Sequence, residues 1–412
     1  MRIAIIGSGI SGLMAAHVLS GAHDVTMFEA AHRFGGHTNT VRFDLGDSTH
    51  DVDTGFIVYN ERNYPTLTRL FRELNVITQP SEMSFSVRDE TGGVEWAGTS
   101  LRGVFAQRSN ARDPRFIAML VDIARFSRIA AVRLREPDDP SFTLQDLLDA
   151  HRWSRAFMDL YLVPLGAAIW SADPATFTKF PADTFLRFCD NHGLLTYRNR
   201  PKWRTVTGGA INYVRAITEA MSDRIRLNAP VANVARTSSH VEVRIGSDSF
   251  NFDHVVMACH SDDALRLLSD ATRLETETLG AIRYQPNTAT LHTDVTLMPI
   301  RAGAWASWNY LREGPNAPAI LTYDMNRLQN IVSSSPILVT LNGRSAIADA
   351  KVIAEFQYAH PVFDSAAIRA QAKHRSLCTT QTSFCGAYWG YGFHEDGARS
   401  GLQVARWLGV RW

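Results

Sequence analysis

The sequence contains few cysteines and no long apolar run. Its four cysteines form no CxxC pair and no His/Cys cluster at zinc spacing: Cys189, Cys259, Cys378 and Cys385. A disulfide framework and a metal site are therefore not predicted, and the expected compartment is the reducing cytoplasm. No stretch of about 18 uncharged apolar residues occurs, so the sequence predicts no transmembrane helix.

An excess of charge of one sign is also lacking. The formal net charge is +1 and the sequence pI is ≈ 7.8, so neither a nucleic acid nor a strongly acidic partner is predicted. Hydrophobic residues make up 45% of the 412 residues and charged residues 20%, which is typical of a globular protein. A chain of this length can form two domains with a substantial core.

A glycine-rich turn near the start predicts a dinucleotide-binding site. Gly7, Gly9 and Gly12 form a GxGxxG motif, which lies between an apolar strand at 2–6 and a helix that begins near Ser11. The first glycine permits a tight turn, the second lets the backbone approach a pyrophosphate, and the third allows close helix–strand packing. Glu29 ends the next predicted strand, at the spacing expected for a carboxylate that binds a ribose hydroxyl. The same carboxylate would repel a 2′-phosphate, which argues against NADP.

The residues after this second strand distinguish FAD from NAD. Glu29, Arg33, Gly35 and Gly36 form an ExxxRxGG arrangement, followed by His37 and Thr38. It resembles the extended fingerprint of the flavin-dependent amine oxidase superfamily, which also holds phytoene desaturases and protoporphyrinogen oxidases. The resemblance implies FAD as the cofactor, with the arginine and the glycine pair against its phosphates and ring. No second GxGxxG follows a later strand, so an inserted NAD(P)H domain is not indicated.

Further landmarks of that superfamily occur in order along the chain. Gly55, in Asp53-Thr54-Gly55, resembles a segment that runs beside the isoalloxazine, and Val231 would contact the adenine through its backbone. Asp396, Gly397 and Ala398 resemble the start of a helix whose N–H groups face the flavin. Gly386 lies where the superfamily usually has an A-G-acid triplet. This sequence has Cys385-Gly386-Ala387-Tyr388 there, so a carboxylate contact to the ribityl chain is not indicated.

The predicted fold class is α/β, with two interleaved domains. A Rossmann-like FAD-binding domain, similar to that of glutathione reductase, is predicted from 1–80, 201–270 and 371–412. An α+β substrate domain is predicted from 81–200 and 271–370, because 113–200 is mostly helical in pattern and 285–345 alternates as an antiparallel sheet does.

The candidate catalytic residues are His394 and Glu395. Many amine oxidases carry a lysine near the position of Gln285–His292, where this sequence has none, which weakens amine oxidation as the function. His394 precedes the predicted flavin-facing helix and could accept or donate a proton, with Glu395 orienting it. The alternative is that both residues cap the helix or bond to the backbone.

A finer resemblance concerns the substrate. The residues at 53–60, 191–195 and 392–397 resemble a bacterial branch of predicted NAD/FAD-binding proteins that are linked to cyclopropane-fatty-acid-synthase-like methyltransferases. This implies an FAD-dependent desaturase or oxidase of a hydrophobic acyl-lipid, including methyl-branched fatty acyl chains, with hydride transfer to flavin N5. A fatty-acid methyltransferase is the implied partner. The alternatives are an amine oxidase, a non-redox flavin-dependent isomerase, and an FAD-bound lipid-binding partner of a methyltransferase.

The arginine-rich stretch Arg102–Arg135 has two interpretations. Its arginines accompany an apolar stripe and could dock on anionic phospholipid at the inner face of the membrane. The alternative is an ordinary amphipathic helix with one solvated face. The large aromatic residues of the predicted substrate domain, such as Trp170 and Trp308, could likewise form a plain core or line an apolar tunnel.

Overall fold

The computed structural model describes residues 1–170, 174–196, 199–314 and 317–412. The strands, in chain order, are β1 (Arg2–Ile6), β2 (Asp24–Phe28), β3 (Thr40–Leu45), β4 (Ser48–Asp53), β5 (Tyr59–Asn60), β6 (Thr78–Pro80), β7 (Phe85–Asp89), β8 (Val94–Ala97), β9 (Trp203–Val206), β10 (Ile225–Arg226), β11 (Val231–Arg236), β12 (Val241–Ile245), β13 (Asp248–Phe252), β14 (His254–Met257), β15 (Arg283–His292), β16 (Trp308–Arg312), β17 (Ile320–Asp324), β18 (Leu338–Leu341), β19 (Val352–Val362) and β20 (Thr382–Phe384).

The helices lie between these strands and at the C-terminal end. They are α1 (Ile10–Leu19), α2 (Pro65–Glu73), α3 (Leu101–Val104), α4 (Pro114–Arg133), α5 (Leu144–Asp149), α6 (Arg155–Phe157), α7 (Val163–Trp170), α8 (Ala182–Asn191), α9 (Ile211–Glu219), α10 (Ser261–Leu267), α11 (Arg273–Leu279), α12 (Met325–Gln329), α13 (Ser365–Gln371), α14 (His374–Leu377) and α15 (His394–Trp407). In the described ranges, no helix is both long enough and apolar enough to cross a membrane.

A five-stranded parallel sheet carries the glycine-rich turn. Its strand order is β10-β2-β1-β14-β20, and α1 connects the parallel neighbours β1 and β2. Alternate residues of β1 face different cores: Ile3 and Ile5 pack with α1 and α15, whereas Ala4 and Ile6 pack with β12 and β14. This burial on both faces explains the continuous apolar run of the strand. The predicted βαβ unit is confirmed.

A second sheet has seven strands in the order β19-β15-β18-β17-β16-β7-β8. Its pairs are antiparallel except that of β16 with β7, which is parallel. The antiparallel sheet predicted from 285–345 is therefore confirmed, and β7 and β8 join it from a distant part of the chain. Helices α4 to α8 pack over β7, β8 and β16 in a separate hydrophobic core.

Two features of the prediction need comment. The helical region predicted at 113–200 contains α4 to α8, with 171–173 and 197–198 outside the described residues. The last helix, expected from Gly397, already begins at His394. The division of the chain into domains at the stated boundaries stays a prediction.

The close packing of α1 against α15 brings the two ends of the chain together. A Cβ atom on Gly401 would lie 2.2 Å from the Ser11 carbonyl oxygen, and one on Gly397 would lie 2.7 Å from Ile10 Cγ2. Glycines at these positions allow the two helices to approach. The N-terminus of α15, with His394, consequently lies near the glycine-rich turn.

Candidate active site

One continuous cavity of about 810 Å³ connects the glycine-rich turn with the second sheet. At one end it is lined by the turn and by Ala229, Pro230 and Val231. It continues past His37, Gly55 and His394 into a chamber between the second sheet and helices α4, α7 and α8. Such an arrangement holds a long ligand at one end and leaves room for a second molecule at the other.

Each of the three glycines of the turn is explained by a different feature of the structure. Gly7 has φ +105°, and a Cβ on Gly12 would lie 2.0 Å from the Gly7 carbonyl oxygen. Gly9, by contrast, has φ −66°, which any residue adopts, and no atom lies within 4 Å of its added Cβ. Gly9 and Ser11 line the cavity, and no side chain caps the N-terminus of α1. No described residue near Gly9 requires glycine there, whereas a ligand placed against the backbone would.

A second loop closes over this turn. The Gly35 backbone N–H donates to the Ser8 carbonyl oxygen at 3.0 Å, and a Cβ on Gly36 would lie 3.1 Å from Gly9 Cα. The Glu29 carboxylate accepts hydrogen bonds from the Ser8 N–H (2.9 Å) and hydroxyl (2.6 Å). Glu29, Gly35 and Gly36 all line the cavity. The turn and the loop thus form one concave backbone surface, closed at its rim by a carboxylate.

His394, the first residue of α15, lines the cavity beyond this surface. Its Nε2 lies 2.8 Å from the Tyr213 hydroxyl and 3.1 Å from Thr38 Oγ1. Burial lowers the pKa of His394 to about 3, so the ring is neutral at physiological pH. The role of His394 in handling a proton stays a prediction, and any such role starts from the neutral ring. The neutral ring is suited to hydrogen bonding.

Comparison with known proteins identifies the family. The sequence model of the flavin-containing amine oxidoreductases matches residues 10–298, more than half of the chain. The chain belongs to this family. It is 25% identical over 307 residues to an L-amino-acid oxidase of Mus musculus, covering 69% of this chain and 46% of that protein. The chain spans about half the length of the first curated relatives that it matches.

Two solved structures share the fold over nearly the whole chain. Cyclohexylamine oxidase from Brevibacterium oxydans superposes with a TM-score of 0.72 at 17% identity, covering 99% of this chain and 98% of that one. A fatty acid isomerase from P. acnes, described as producing CLA, superposes with a TM-score of 0.69 at 15% identity, covering 99% of both chains. At these identities the likeness shows the fold alone.

FAD is the cofactor of this site, and the cavity fits it. The concave backbone around Gly9 suits the pyrophosphate, as a flavin family member requires. Further along the cavity, His37 Nε2 is buried without a hydrogen-bond partner in the described residues. Gly55, Val231 and Gly386, predicted from the sequence to contact the cofactor, all line the cavity.

Arg33 and Thr38 differ from their predicted positions. The Arg33 guanidinium donates to the carbonyl oxygens of Gly36 (2.9 Å) and Thr38 (3.2 Å), and the residue does not line the cavity. Thr38 is fully buried and bonds to Tyr213 and His394. Arg33 stabilises the loop, because the turn at Gly35 and Gly36 leaves carbonyl oxygens that need a donor. The direct contact of Arg33 with FAD stays a prediction.

Glu395 does not orient His394. Its carboxylate accepts hydrogen bonds from the backbone N–H groups of Thr66 (2.9 Å) and Leu67 (3.0 Å), in the first turn of α2. The predicted catalytic role of Glu395 is therefore corrected to the capping of a neighbouring helix, where free N–H groups need acceptors. The alternative stated from the sequence, that Glu395 bonds to the backbone, describes the structure.

The residues at 396–398 also lie away from the cavity. The Asp396 carboxylate accepts from the Phe393 N–H at 3.1 Å and from Arg399 at 2.8 Å, while Gly397 and Ala398 pack against α1 and the core. The helix α15 begins three residues earlier than expected, and the flavin contact of Asp396, Gly397 and Ala398 stays a prediction. His394, and not these residues, presents the start of α15 to the cavity.

Sequence reasoning named His37 but missed its two histidine neighbours, His260 and His360, which also line the cavity. The rings of His260 and His360 lie 5.8 and 5.5 Å from the His37 ring, and Tyr358 stacks on His37 at 4.9 Å. Burial, first of all, lowers the pKa of each of these three histidines. The only sequence signal is weak: Tyr358 and His360 are two residues apart on β19 and therefore share a face.

The chamber beyond the histidines is apolar and aromatic. Among the large aromatic residues of the predicted substrate domain, those that line the chamber are Trp170, Trp308 and Tyr323. Those that belong to the hydrophobic core are Phe177, Phe180, Phe185 and Tyr310, and Trp305 lies elsewhere. In the part of the chain that the structure describes, no carboxylate lines the chamber, and its charged wall residue is Arg200. Glu29, Asp263 and Arg266 line the dinucleotide end.

Proposed function

We propose that this protein is an FAD-dependent oxidoreductase that acts on a hydrophobic acyl-lipid as a desaturase or oxidase. The observation that carries the proposal is the aromatic and aliphatic wall of the chamber, formed by residues such as Leu120, Ile123 and Trp170. An acyl chain buried there gains roughly 0.8 kcal/mol for each CH₂ group removed from water. FAD, when bound, would accept the hydride from the substrate.

An amine oxidase is the second candidate, because the family and its relatives include amine and amino-acid oxidases. A protonated amine would enter the chamber without a carboxylate partner from the described residues, and burying an unpaired charge is costly. The chamber therefore favours the lipid. A non-redox isomerase is distinguished by its product, which has the same mass as the substrate and needs prereduced FAD.

The test is anaerobic mixing of the FAD-loaded protein with water-dispersible acyl lipids and, separately, with primary amines and amino acids. We expect acyl lipids to bleach the flavin absorbance and to yield a product lighter by two hydrogen atoms. Bleaching by amines and not by lipids would overturn the proposal. An inert flavin in every mixture would favour an FAD-bound lipid-binding protein.

A matched pair of variants on α4 tests the chamber itself. Ser127 lines the cavity, whereas Ala124, three residues earlier, is exposed on the outer side. Ser127→Asp places a carboxylate in the chamber and should abolish reduction by acyl lipids while FAD stays bound. Ala124→Asp should leave that reduction unchanged. Equal effects of the two substitutions would contradict the assignment of the chamber.

We also propose that the outer face of α4 docks on an anionic lipid surface. Val121 (61% exposed) and Val132 (60% exposed) lie on it, while Leu120 and Ile123 of the same helix line the cavity. Five exposed arginines form no ion pair among the described residues: Arg102, Arg108, Arg112, Arg128 and Arg135. Exposed apolar side chains and unpaired cations in one stretch of the chain are complementary to an anionic bilayer.

Vesicle co-sedimentation tests this surface. Binding should require an anionic lipid such as phosphatidylglycerol, decrease with salt, and weaken in Val121→Glu and in Arg128→Glu. Val332→Glu, at a site 91% exposed elsewhere on the protein, is the control. Equal binding to neutral vesicles, or none to either kind, would contradict the proposal. A methyltransferase partner stays a prediction of the sequence resemblance.

A further inference from the structure

Two backbone groups of the second sheet, the Thr288 N–H and the Gln285 carbonyl, determine how the side-chain amides of Asn342 and Asn287 are oriented. The Thr288 backbone N–H donates to Asn342 Oδ1 at 3.0 Å, so the amide nitrogen of Asn342 faces the other way. That nitrogen donates to Asn287 Oδ1 at 2.8 Å. The Asn287 amide nitrogen in turn donates to the Gln285 carbonyl oxygen at 3.1 Å. Because a backbone N–H only donates and a carbonyl only accepts, neither amide can be flipped.

This amide relay ends on His360. Asn287 Nδ2 lies 2.9 Å from His360 Nδ1, and Asn287 is almost completely buried. An amide nitrogen only donates, so Nδ1 must accept and cannot carry a hydrogen. The proton of the neutral ring is therefore on Nε2. Burial, with a smaller contribution from His260, lowers the pKa of His360 to about 4, which keeps the ring neutral.

The Nε2–H group of His360 is available to a ligand in the cavity. His360 lines the cavity, and no described residue accepts a hydrogen bond from Nε2. Its neighbours are the rings of His37 and His260, whose pKa values are also lowered, and Tyr358. His37 directly follows the Gly35–Gly36 loop over the pyrophosphate site. His360 thus lies where the dinucleotide end of the cavity meets the chamber.

We propose that His360 is a positioning residue for the cofactor, whose Nε2–H donates a hydrogen bond to the redox ring of bound FAD and whose tautomer is imposed by Asn287. Gly9, Val231, His37 and His360 line one continuous cavity, so a dinucleotide held at Gly9 and Val231 would extend its other half past His37 toward the chamber. A donor to N1 or to a carbonyl oxygen of the flavin stabilises the electron-rich reduced ring more than the oxidised ring. A hydrogen bond from His360 to one of these atoms would therefore raise the flavin midpoint potential.

The first test reads the tautomer directly. In holoprotein with ¹⁵N-labelled histidine, long-range ¹H–¹⁵N correlation should show His360 as the Nε2–H form, unchanged from pH 5.5 to 8. Asn287→Asp replaces the donor with a carboxylate acceptor, which should move the proton to Nδ1 and raise the pKa of His360. An Nδ1–H form in the unmodified protein, or no change in Asn287→Asp, would overturn the proposal.

The second test reads the flavin. His360→Leu should weaken FAD binding roughly 2- to 10-fold, the range that one hydrogen bond supplies, and make the midpoint potential more negative. His360→Gln, whose longer amide reaches toward the position of Nε2, should restore most of both. If His360→Leu changes substrate turnover while the midpoint potential and the FAD dissociation constant stay the same, the donor serves the substrate and the proposal fails. Circular dichroism of each variant controls for folding.

Discussion

The ring of His394 stacks on the ring of Phe56, with centroids 3.7 Å apart and planes within 5° of parallel. Phe56 follows Gly55, where an added Cβ would lie 2.1 Å from the His37 carbonyl oxygen. The stack therefore ties the start of the last helix to two segments near the start of the chain. These contacts bring His37, Phe56 and His394 together, and all three residues line the cavity.

Removal of the His394 ring should impair reduction of the flavin but not its binding. His394→Ala is expected to keep FAD and to slow anaerobic flavin reduction more than tenfold, a barrier rise of about 1.4 kcal/mol or more. Because the pKa of His394 is about 3, the reduction rate should show no ionisation of this residue between pH 5 and 8. Stopped-flow spectroscopy measures both. An unchanged rate in His394→Ala would remove the residue from the mechanism.

Gly9→Val should give a folded protein without flavin. The added methyl groups enter the cavity, where no protein atom lies within 4 Å of a Cβ, so folding is unaffected while the pyrophosphate is excluded. Visible absorbance and the melting temperature of the apoprotein measure the two effects. Gly12→Val is the control: its Cβ meets the Gly7 carbonyl oxygen, so it should lower the melting temperature. Retained yellow colour in Gly9→Val would be the contrary result.

Glu395→Ala should affect stability and not chemistry. Loss of the carboxylate that caps α2 is expected to lower the free energy of unfolding by about 1 kcal/mol. The rate of flavin reduction should stay within about twofold, because the carboxylate does not face the cavity. Denaturant unfolding and stopped-flow measurements separate the two quantities. A large loss of rate at unchanged stability would restore a catalytic role.

His292 should make the protein less stable in acid. It is fully buried, Nδ1 accepts from the Asp294 N–H and Nε2 contacts Thr340 Oγ1; burial lowers its pKa to about 4. Between pH 6.5 and 4 the unfolded state binds a proton that the folded state does not. The free energy of unfolding therefore decreases as the pH decreases, by about 3 kcal/mol in total.

His292→Gln keeps a donor for Thr340 but does not titrate. Its unfolding free energy should therefore fall less steeply with decreasing pH over that interval, by up to about 1.4 kcal/mol per pH unit. Above pH 7 the two curves should run parallel, which is the internal control. Equal slopes below pH 6.5 would show that His292 does not contribute.

The sequence alone determined the features that depend on neighbouring residues. Gly7, Gly9 and Gly12 specify a turn because backbone freedom and close approach are local properties, and the apolar run at 2–6 specifies a strand buried on both faces. The order of the landmarks along the chain also indicated the flavin family before any contact was known. Each of these signals is read from a few neighbouring residues and does not depend on the packing of distant elements.

Tertiary structure decided which side chains meet in the cavity. Glu395 and Thr66, 329 residues apart, form a cap that no local pattern indicates. The relay from Thr288 through Asn342 and Asn287 to His360 requires the register of β15, β18 and β19. The direction of a polar side chain depends on whichever donor or acceptor the packing places beside it. That is why the glycines could be predicted from the sequence, whereas the direction of the Glu395 carboxylate and the tautomer of His360 could not.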